Sequence, residues 1–581
     1  MADASSYTAP VDDYTFLFGE AFGLDLVARA TGGELTTEDA GDIMAGAGEF
    51  AASVLAPLET VGDRVGARFQ NGEVILPEGF AEAFQAFVDA GWVTASAPVS
   101  AGGDGLPGAV LAGLGEIWNG SNAALALCWL LTVGQIHALD AVASDEIRET
   151  YLTRLVSGEW TGTMNLTEPD AGTDLGAIRT TATQREDGSW GIRGQKIFIT
   201  WGDHDAAENI VHLVLARTPG APEGARGLSL FVAPKFLVND DGSLGERNAV
   251  TTVSIEHKLG IHGSPTCVLA YEDATGYLVG ELGGGLAGMF VMMNSARAGM
   301  GFQATGIADR AYQQAAAYAA DRVQGRVLGR DGRAPIAEHP DVRRLLLSMS
   351  SKIFAMRALG VYTADLLDRA DQKRGAESDP SLAALAEFFV PILKGWTTED
   401  AVQTTSEGIQ VYGGMGFIEE TGAAQHYRDI RITPIYEGTT AIQSNDLVGR
   451  KLIRDAGATA EQLFTQIDAT VAALRASSEP VAARTADRLE RAVAASRRAT
   501  ADLLGFAASP RDAYAVSVPY LLLLGTLAGG WMHGLAVAAV GAHATEEPMD
   551  ASRLTSADFY GAHHLSRVHA LAETVAAGEI A

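Results

Sequence analysis

The sequence contains little cysteine and no recognisable metal-binding motif. Only two of its 581 residues are cysteine, Cys128 and Cys267, which excludes a disulfide-stabilised scaffold and fits a reducing compartment. The 12 histidines include no His-Glu-x-x-His motif and no Cys/His cluster, so we expect no metal site. These scarcities predict a cytoplasmic protein without a bound metal.

Positive charge is also scarce. The chain has 42 Lys and Arg residues against 72 Asp and Glu residues, and its formal net charge is −30. Nucleic acids and anionic membranes both require a basic protein face, so we expect neither as a partner. The negative net charge does not exclude a small anionic ligand, because a few local arginines and lysines are enough to bind it.

Two patterns resemble familiar signals but lack their context. Residues 103–108 match Gly-x-Gly-x-x-Gly, yet no clean strand precedes them and no acid follows about 20 residues later, so a surface loop is predicted. Residues 513–545 lack Lys, Arg, Asp and Glu and are long enough to span a membrane. Because this stretch contains Pro519, His533 and several glycines, we predict a buried helix pair in a soluble helical domain. The acidic N-terminus, which lacks an apolar run, is not expected to be a signal peptide.

The hydrophobic pattern changes twice along the chain. Hydrophobic residues make up 47% and charged residues 20%, which predicts a globular chain of more than one domain. Helical periodicity comes first, opened by a capping box at Thr36 and Asp39; a β-rich region typical of a sandwich or barrel follows, and helical periodicity then returns. The predicted divisions are an N-terminal arm at 1–35, an α-helical domain at 36–159, a middle β domain at 160–285, a helical bundle at 286–456 and an appended C-terminal helical domain at 457–581.

Within these regions the pattern predicts individual elements. The predicted strands are 209–217, 227–233, 250–256 and 266–271. The predicted helices include 110–118, 123–139, 144–157, 286–322, 339–367, 381–413 and 440–456.

The segment 434–440, Pro-Ile-Tyr-Glu-Gly-Thr-Thr, presents a single carboxylate before a helix. Thr439 or Thr440 can cap the first turn of that helix, and Gly438 permits a turn closed to other residues. Glu437 then lies in partly apolar surroundings, as a general base with a tuned pKa does. The alternative is a solvated turn residue.

Three motifs in order connect this segment to a known family. Residues 164–174 read Met-Asn-Leu-Thr-Glu-Pro-Asp-Ala-Gly-Thr-Asp, residues 194–200 read Gly-Gln-Lys-Ile-Phe-Ile-Thr, and the Glu437 segment follows 410–416, Gln-Val-Tyr-Gly-Gly-Met-Gly. Together they resemble the acyl-CoA dehydrogenase family over about residues 40 to 455. The arm, the C-terminal region and the run 292–297 resemble a longer subgroup that includes 3-(methylthio)propanoyl-CoA dehydrogenases.

The resemblance implies FAD as the cofactor and a mainly α fold with a central β domain. Hydroxyls from Thr167 and Thr200 and an apolar wall from Phe198 suit a flavin ring. The family assigns Leu166 and Thr167 to the pyrimidine edge and Thr200 to N5. The remaining residues with an implied cofactor-binding role are Gly172, Thr173, Arg322, Gln324, Gln410, Gly413, Gly414 and Thr439.

Further residues are implied to bind acyl-CoA or a second subunit. Thr173, Asn294, Arg297 and Gly438 match substrate-binding positions, although Arg297 also fits a structural ion pair. Arg322 matches an arginine that reaches the FAD pyrophosphate of a neighbouring subunit, so a homodimer or larger homo-oligomer is expected. A solvated helix residue is the alternative for Arg322.

The predicted reaction is α,β-dehydrogenation of an acyl-CoA to the 2-enoyl-CoA, with Glu437 as the base. The resemblance implies an electron-transferring flavoprotein as acceptor and a short, medium or sulfur-bearing acyl chain, such as 3-(methylthio)propanoyl-CoA. The alternatives are an acyl-CoA oxidase that uses oxygen and a non-catalytic acyl-CoA or flavin-binding scaffold.

Overall fold

The computed structural model describes residues 6–329, 331–371, 379–542 and 548–579. The first five residues of the predicted arm and the last two of the predicted C-terminal domain lie outside the described residues. The chain forms two compact units, which we describe separately. The helical unit comprises Met1–Ala52, Pro107–Ser121 and Arg297–Ala581, and the barrel unit comprises Ser53–Leu106 and Asn122–Ala296.

The barrel unit is built on a sheet of antiparallel and parallel strand pairs that closes into a ring. Five strands form a ring in the order β5-β4-β6-β7-β11 and back to β5, while β10 adds to β11 and β3 adds to β6 in parallel. A closed ring leaves these strands no free edge, and it confirms the predicted central β domain. The strands of this unit are β1 (Arg68–Gln70), β2 (Glu73–Ile75), β3 (Trp160–Asn165), β4 (Thr181–Gln184), β5 (Trp190–Thr200), β6 (Asn209–Arg217), β7 (Leu228–Pro234), β8 (Phe236–Val238), β9 (Leu244–Arg247), β10 (Val250–Ile255) and β11 (Thr266–Val279).

The predicted strands largely coincide with β6, β7, β10 and β11, because their β-branched and aromatic runs are clear. The pattern predicted that β11 ends at 271, whereas the strand continues past a register shift between Glu272 and Ala274 to Val279. The hairpin of β1 and β2 was not predicted, although its Asn71-Gly72 turn is a recognised hairpin signal. Shorter helices of this unit are Ala56–Val65, Phe80–Asp89, Trp92–Ala95, Asp145–Ile147 and Thr153–Val156, with π-helical turns at Ala51–Leu55 and Arg148–Leu152.

The helical unit has two long buried helices at its centre, Pro340–Ala370 and Ala383–Tyr412. The C-terminal helix Ser517–Ala542 packs so closely on the second of them that a Cβ at Gly525 would meet the Trp396 Cβ at 2.3 Å. The other helices are Val11–Gly19, Leu26–Ala30, Thr37–Phe50, Ala423–Ile430, Thr440–Asn445, Ala458–Ala476, Pro480–Gly505, Pro510–Ala515, Pro548–His563 and Arg567–Ala576, and a hairpin joins β12 (Val323–Arg326) to β13 (Arg333–Pro335).

The predicted pair 110–118 and 123–139 agrees with the structure, because two helices within Gly108–Val142 meet at a kink at Asn122, whose backbone is not helical. Two other helices differ from the sequence-based expectation. The predicted helix pair in 513–545 is mainly the single helix Ser517–Ala542, because Pro519 lies in the first turn, where proline is tolerated. The helix after Thr440 changes at Asp446 to a π-helical segment that ends at Ile453. The long helix Gly285–Asp321 and the capping box at Thr36 and Asp39 agree with the prediction.

Three described helices are long and apolar enough, by length and composition alone, to cross a membrane. Most of the apolar window of each is covered by other parts of the protein. They are Gly108–Val142, Pro340–Ala370 and Ser517–Gly541.

Candidate active site

Glu437 lies in a tight, strained turn of the helical unit. Its φ of +54° is uncommon for a residue with a side chain, and Gly438 follows with φ of +87°. The Thr440 amide donates to the Pro434 carbonyl at 3.1 Å and closes the turn. Such strain persists only where the surroundings enforce it, and it clusters at functional sites.

Side chains from two other positions hold the carbonyls of this turn. Gln443 Nε2 donates to the Glu437 carbonyl at 3.0 Å, and Lys394 Nζ donates to the Gly438 carbonyl at 2.7 Å. Lys394 is fully buried on the helix Ala383–Tyr412. Two successive peptides, Glu437–Gly438 and Gly438–Thr439, are therefore each held by a side chain from outside the turn.

The following helix begins as the sequence predicts. Thr439 is its N-cap and accepts from the Ile442 amide at 3.4 Å. Thr440, the other predicted cap, instead donates to Glu399 Oε1 at 2.6 Å.

Burial and two cations control the charge of Glu437. Glu437 is half-buried, and its partial removal from water raises its pKa to about 7, while Arg297 and Lys394 oppose that rise. Burial lowers the pKa of Lys394 to about 8, against the attraction of Glu437 and Glu399. A carboxyl group with a pKa near neutrality is suited to accept a proton at physiological pH. The neighbouring Tyr436 hydroxyl donates to the buried Gln303.

In the barrel unit, a buried ion pair holds the loop that follows β3. Lys196 Nζ lies 2.8 Å from Glu168 Oε1 and donates to the Leu166 carbonyl at 2.9 Å. The same Glu168 carboxylate accepts the amides of Arg179 and Thr180 at 2.7 and 3.0 Å. Lys196 is fully buried, so the pair fixes the backbone on both sides of the predicted flavin contact Thr167.

The predicted ring contact Phe198 is presented by a distortion of β5. The pairing of β5 with β11 shifts register at this point, and Phe198 has φ of +60°. A bulge of this kind re-aims a side chain, and the Phe198 ring is 58% exposed. The Ile197 amide donates to the Thr167 carbonyl at 2.9 Å. The structure thus brings Leu166, Thr167 and Phe198 together, with Thr200 two residues further along β5.

The remaining predicted residues of the barrel unit are Gly172, Thr173 and Asn294, and all three are exposed. In the helical unit, a Tyr318–Tyr412 stack with ring centroids 4.3 Å apart joins the ends of two long helices. This stack brings two predicted cofactor segments to one end of the unit. Those segments contain Arg322, Gln324, Gln410, Gly413 and Gly414, which are exposed.

Four residues that support these sites were not predicted from the sequence: Lys394, Gln443, Lys196 and Glu168. Lys196 and Glu168 lie inside the quoted motifs, and a lysine in an alternating strand pattern was a usable signal. Lys394 interrupts an apolar helical run, which also marks a buried charge. Nothing local indicates its contact with a carbonyl 44 residues away.

Comparison with known proteins identifies the class. The family description "Acyl-CoA dehydrogenase, middle domain" matches residues 163–274, and "Acyl-CoA dehydrogenase, C-terminal domain" matches residues 283–452. "Acetyl-CoA dehydrogenase C-terminal like" matches residues 463–581. The chain belongs to the acyl-CoA dehydrogenase family. It is an FAD-dependent oxidoreductase that acts on the CH–CH group of acyl-CoA.

Individual members of the family are similar to nearly the whole chain. The chain is 50% identical to the 3-methylmercaptopropionyl-CoA dehydrogenase of Ruegeria pomeroyi over 92% of this chain and 91% of that protein. It is 35% identical to a broad-specificity linear acyl-CoA dehydrogenase of Mycobacterium tuberculosis over 98% of this chain and 97% of the relative. The fold matches an acyl-CoA dehydrogenase complexed with FAD from Bacillus anthracis, with a TM-score of 0.76, 22% identity and coverage of 98% and 92% of the two chains.

The residues of the barrel unit fit a flavin. Phe198 is an exposed aromatic residue on a bulged strand, and a planar flavin ring packed against it would cover it. Thr167 and Thr200 are close to it in sequence or pairing and offer hydroxyl groups. The rigid Glu168–Lys196 pair keeps the Leu166–Thr167 backbone in place for hydrogen bonds to a ring edge.

Proposed function

We propose that this enzyme oxidises 3-(methylthio)propanoyl-CoA, for which 3-methylmercaptopropionyl-CoA is another name, to the corresponding 2-enoyl-CoA. The observation that carries this proposal is the 50% identity, over nearly the whole of both chains, to the enzyme named for that substrate. The subgroup resemblance of the arm, the C-terminal region and 292–297 supports it. We place the enzyme in the cytoplasm, because its two cysteines are unpaired and buried.

In the proposed mechanism Glu437 takes the proton from the α-carbon of the thioester. The α C–H electron pair forms the new double bond, and the β-hydrogen leaves with its electron pair. Bound FAD supplies the hydride acceptor for that β-hydrogen. The Glu437 amide donates to the thioester oxygen as enolate charge develops there, and a preorganised donor of this kind is worth several kcal/mol.

Substrate and cofactor have separate proposed contacts. Arg297 and Asn294 bind the CoA moiety together with Thr173 and Gly438. Leu166, Thr167 and Thr200 hold the flavin ring edge, and Phe198 covers its face.

We propose that reduced enzyme passes its electrons to an electron-transferring flavoprotein. The relatives described above are all named dehydrogenases, which favours a protein acceptor over oxygen. Peroxide formation at the rate of substrate oxidation in air would instead make the protein an oxidase.

A homo-oligomer is the proposed active form. The predicted pyrophosphate contact Arg322 lies on an exposed segment at the same end as Gln410, and near it Phe417 is 89% exposed. Met415 and Ile418 are 41% and 45% exposed beside it, and an exposed apolar cluster of this kind is suited to cover by a second chain. Light scattering at working concentration checks the assembly, and a monomer that retains FAD would contradict it.

The substrate proposal is tested by anaerobic mixing of the purified flavoprotein with acyl-CoAs. The panel contains 3-(methylthio)propanoyl-CoA, butanoyl-CoA, octanoyl-CoA and pentanoyl-CoA, the last a matched control that replaces the sulfur with a methylene. We expect the oxidised flavin absorbance to bleach with the highest kcat/KM for the sulfur compound. Preference for pentanoyl-CoA would overturn the sulfur specificity while leaving the dehydrogenation intact.

A further inference from the structure

Lys394 is a fully buried lysine within an apolar helical run of the helical unit. Burying an ammonium group is unfavourable unless it finds strong partners, so a lysine in this position needs a reason. Its Nζ donates at 2.7 Å to the carbonyl of Gly438, the residue after the proposed base. The amine therefore supports the turn that carries Glu437.

Gln443 provides a second, neutral support to the same turn. It is buried, and its Nε2 donates to the Glu437 carbonyl at 3.0 Å and reaches the Gly438 carbonyl at 3.5 Å. Both contacts end on backbone oxygens. Together with Lys394 they fix two successive peptide planes, Glu437–Gly438 and Gly438–Thr439, and oppose relaxation of the positive φ at Glu437.

We propose that Lys394 and Gln443 are positioning residues for proton abstraction, which hold the left-handed Glu437 turn, and that Lys394 also favours the ionised carboxylate. This inference rests on the proposed role of Glu437 as the base. It assigns separate tasks to the two residues: both set the orientation of the carboxylate and of the Glu437 amide, but only Lys394 contributes charge.

The charged groups around Glu437 come from two helices. Arg297 on the helix Gly285–Asp321 and Lys394 on the helix Ala383–Tyr412 both attract its negative charge. Glu399 attracts Lys394, and Asp446 and Arg450 act on Arg297. Removing Lys394 leaves Arg297 as the remaining cation of this set, so the carboxylate becomes harder to form.

The test compares the holoenzyme carrying Lys394→Met with the holoenzyme carrying Gln443→Met. Lys394→Met loses its contact with the Gly438 carbonyl, and Gln443→Met loses its contacts with the Glu437 and Gly438 carbonyls. Misplacement of the base is expected to lower kcat about tenfold or more. The acidic limb of the kcat–pH profile should move to higher pH in Lys394→Met and stay in place in Gln443→Met. Arg475→Met, which removes an exposed arginine paired to Asp487 and Glu490, is the control for loss of one positive charge and should resemble the parent enzyme.

Lys394→Arg serves as the rescue variant, because it keeps both the charge and a donor. It should restore the position of the acidic limb, and it also carries the test if Lys394→Met does not fold. An unmoved limb in Lys394→Met, or parent-like kcat in both methionine variants, would overturn the positioning proposal. Glu437→Gln measured in parallel separates the two hypotheses, because its full activity would instead overturn the role of Glu437.

Discussion

At the residue scale, a single carboxyl group combines three unusual properties. Glu437 has a left-handed backbone, a pKa raised by burial to about 7, and cationic neighbours in Arg297 and Lys394. Each property alone occurs in structural residues. Their combination is expected of a base that must stay protonatable near neutrality and yet be held in one direction.

We predict that Glu437→Gln abolishes proton abstraction while preserving the site. The amide has the same shape but cannot take a proton, so kcat should fall by at least about 10²-fold, the usual range for loss of a general base. Flavin absorbance and binding of acyl-CoA should be retained, as measured by spectral titration. Turnover close to that of the parent would contradict the assignment.

The same substitution should change the pH dependence of stability. The pKa of Glu437 in the folded protein is about 7, raised by burial from 4.5. Between these values the folded protein binds a proton that the unfolded chain lacks, so the stability it contributes is present below pH 4.5 and is lost as pH rises through 7. The Tm of Glu437→Gln relative to the parent should therefore be higher at pH 8 than at pH 5, by differential scanning calorimetry.

At the scale of the element, β5 and the loop after β3 act as one piece. The bulge turns Phe198 outward. The Glu168–Lys196 pair fixes the loop to Lys196, which lies two residues before Phe198 on the same strand. The carboxylate oxygens of Glu168 are satisfied by Lys196 and two loop amides. Rigidity at this point is what the proposed flavin contacts of Leu166 and Thr167 require, and it needs no Rossmann fold.

Lys196→Met tests this element. Loss of the amine leaves the Glu168 carboxylate buried and the Leu166 carbonyl without its lysine donor, so the loop should lose its fixed geometry. We expect weaker FAD retention and an altered visible flavin spectrum, measured by gel filtration and absorbance. Arg193→Met, on the same strand but largely exposed, is the matched control and should keep its FAD.

At the scale of the whole molecule, buried charges join distant parts of the helical unit. Arg357, only 4% exposed, forms ion pairs with Asp13 and Glu116 at 2.6 Å and with Asp309 at 3.3 Å. These residues come from the N-terminal arm and from three long helices. Arg553 near the C-terminus adds a contact over the Phe16 ring at 4.0 Å. The helices Val11–Gly19 and Pro548–His563 are thus part of the folded helical unit.

Arg357→Met should therefore destabilise the protein far more than loss of a surface arginine. Removing one partner of a buried ion pair leaves the others uncompensated and typically costs about 3–5 kcal/mol. Denaturant unfolding followed by circular dichroism measures the loss, and Arg484→Met, at an exposed pair with Asp558, is the control. A loss below about 1 kcal/mol would show that the network is dispensable.

The sequence by itself determined what depends on local order. Alternating and helical periodicities set the strands and long helices, the Thr439 cap and the Thr36 capping box followed from short-range chemistry, and three motifs in order indicated the family. These features need only neighbours within a few residues, so a linear pattern contains them.

Only the tertiary structure decided which distant groups meet. Lys394 reaches the Gly438 carbonyl, and Lys196 reaches Glu168 across 28 residues, while Arg357 meets Glu116 across 241. The length of β11 was also set by packing and register rather than by propensity. The reason is that a buried charge is stable only beside suitable partners. These partners are distant in the sequence and come close only in the folded chain, so no local spacing predicts them.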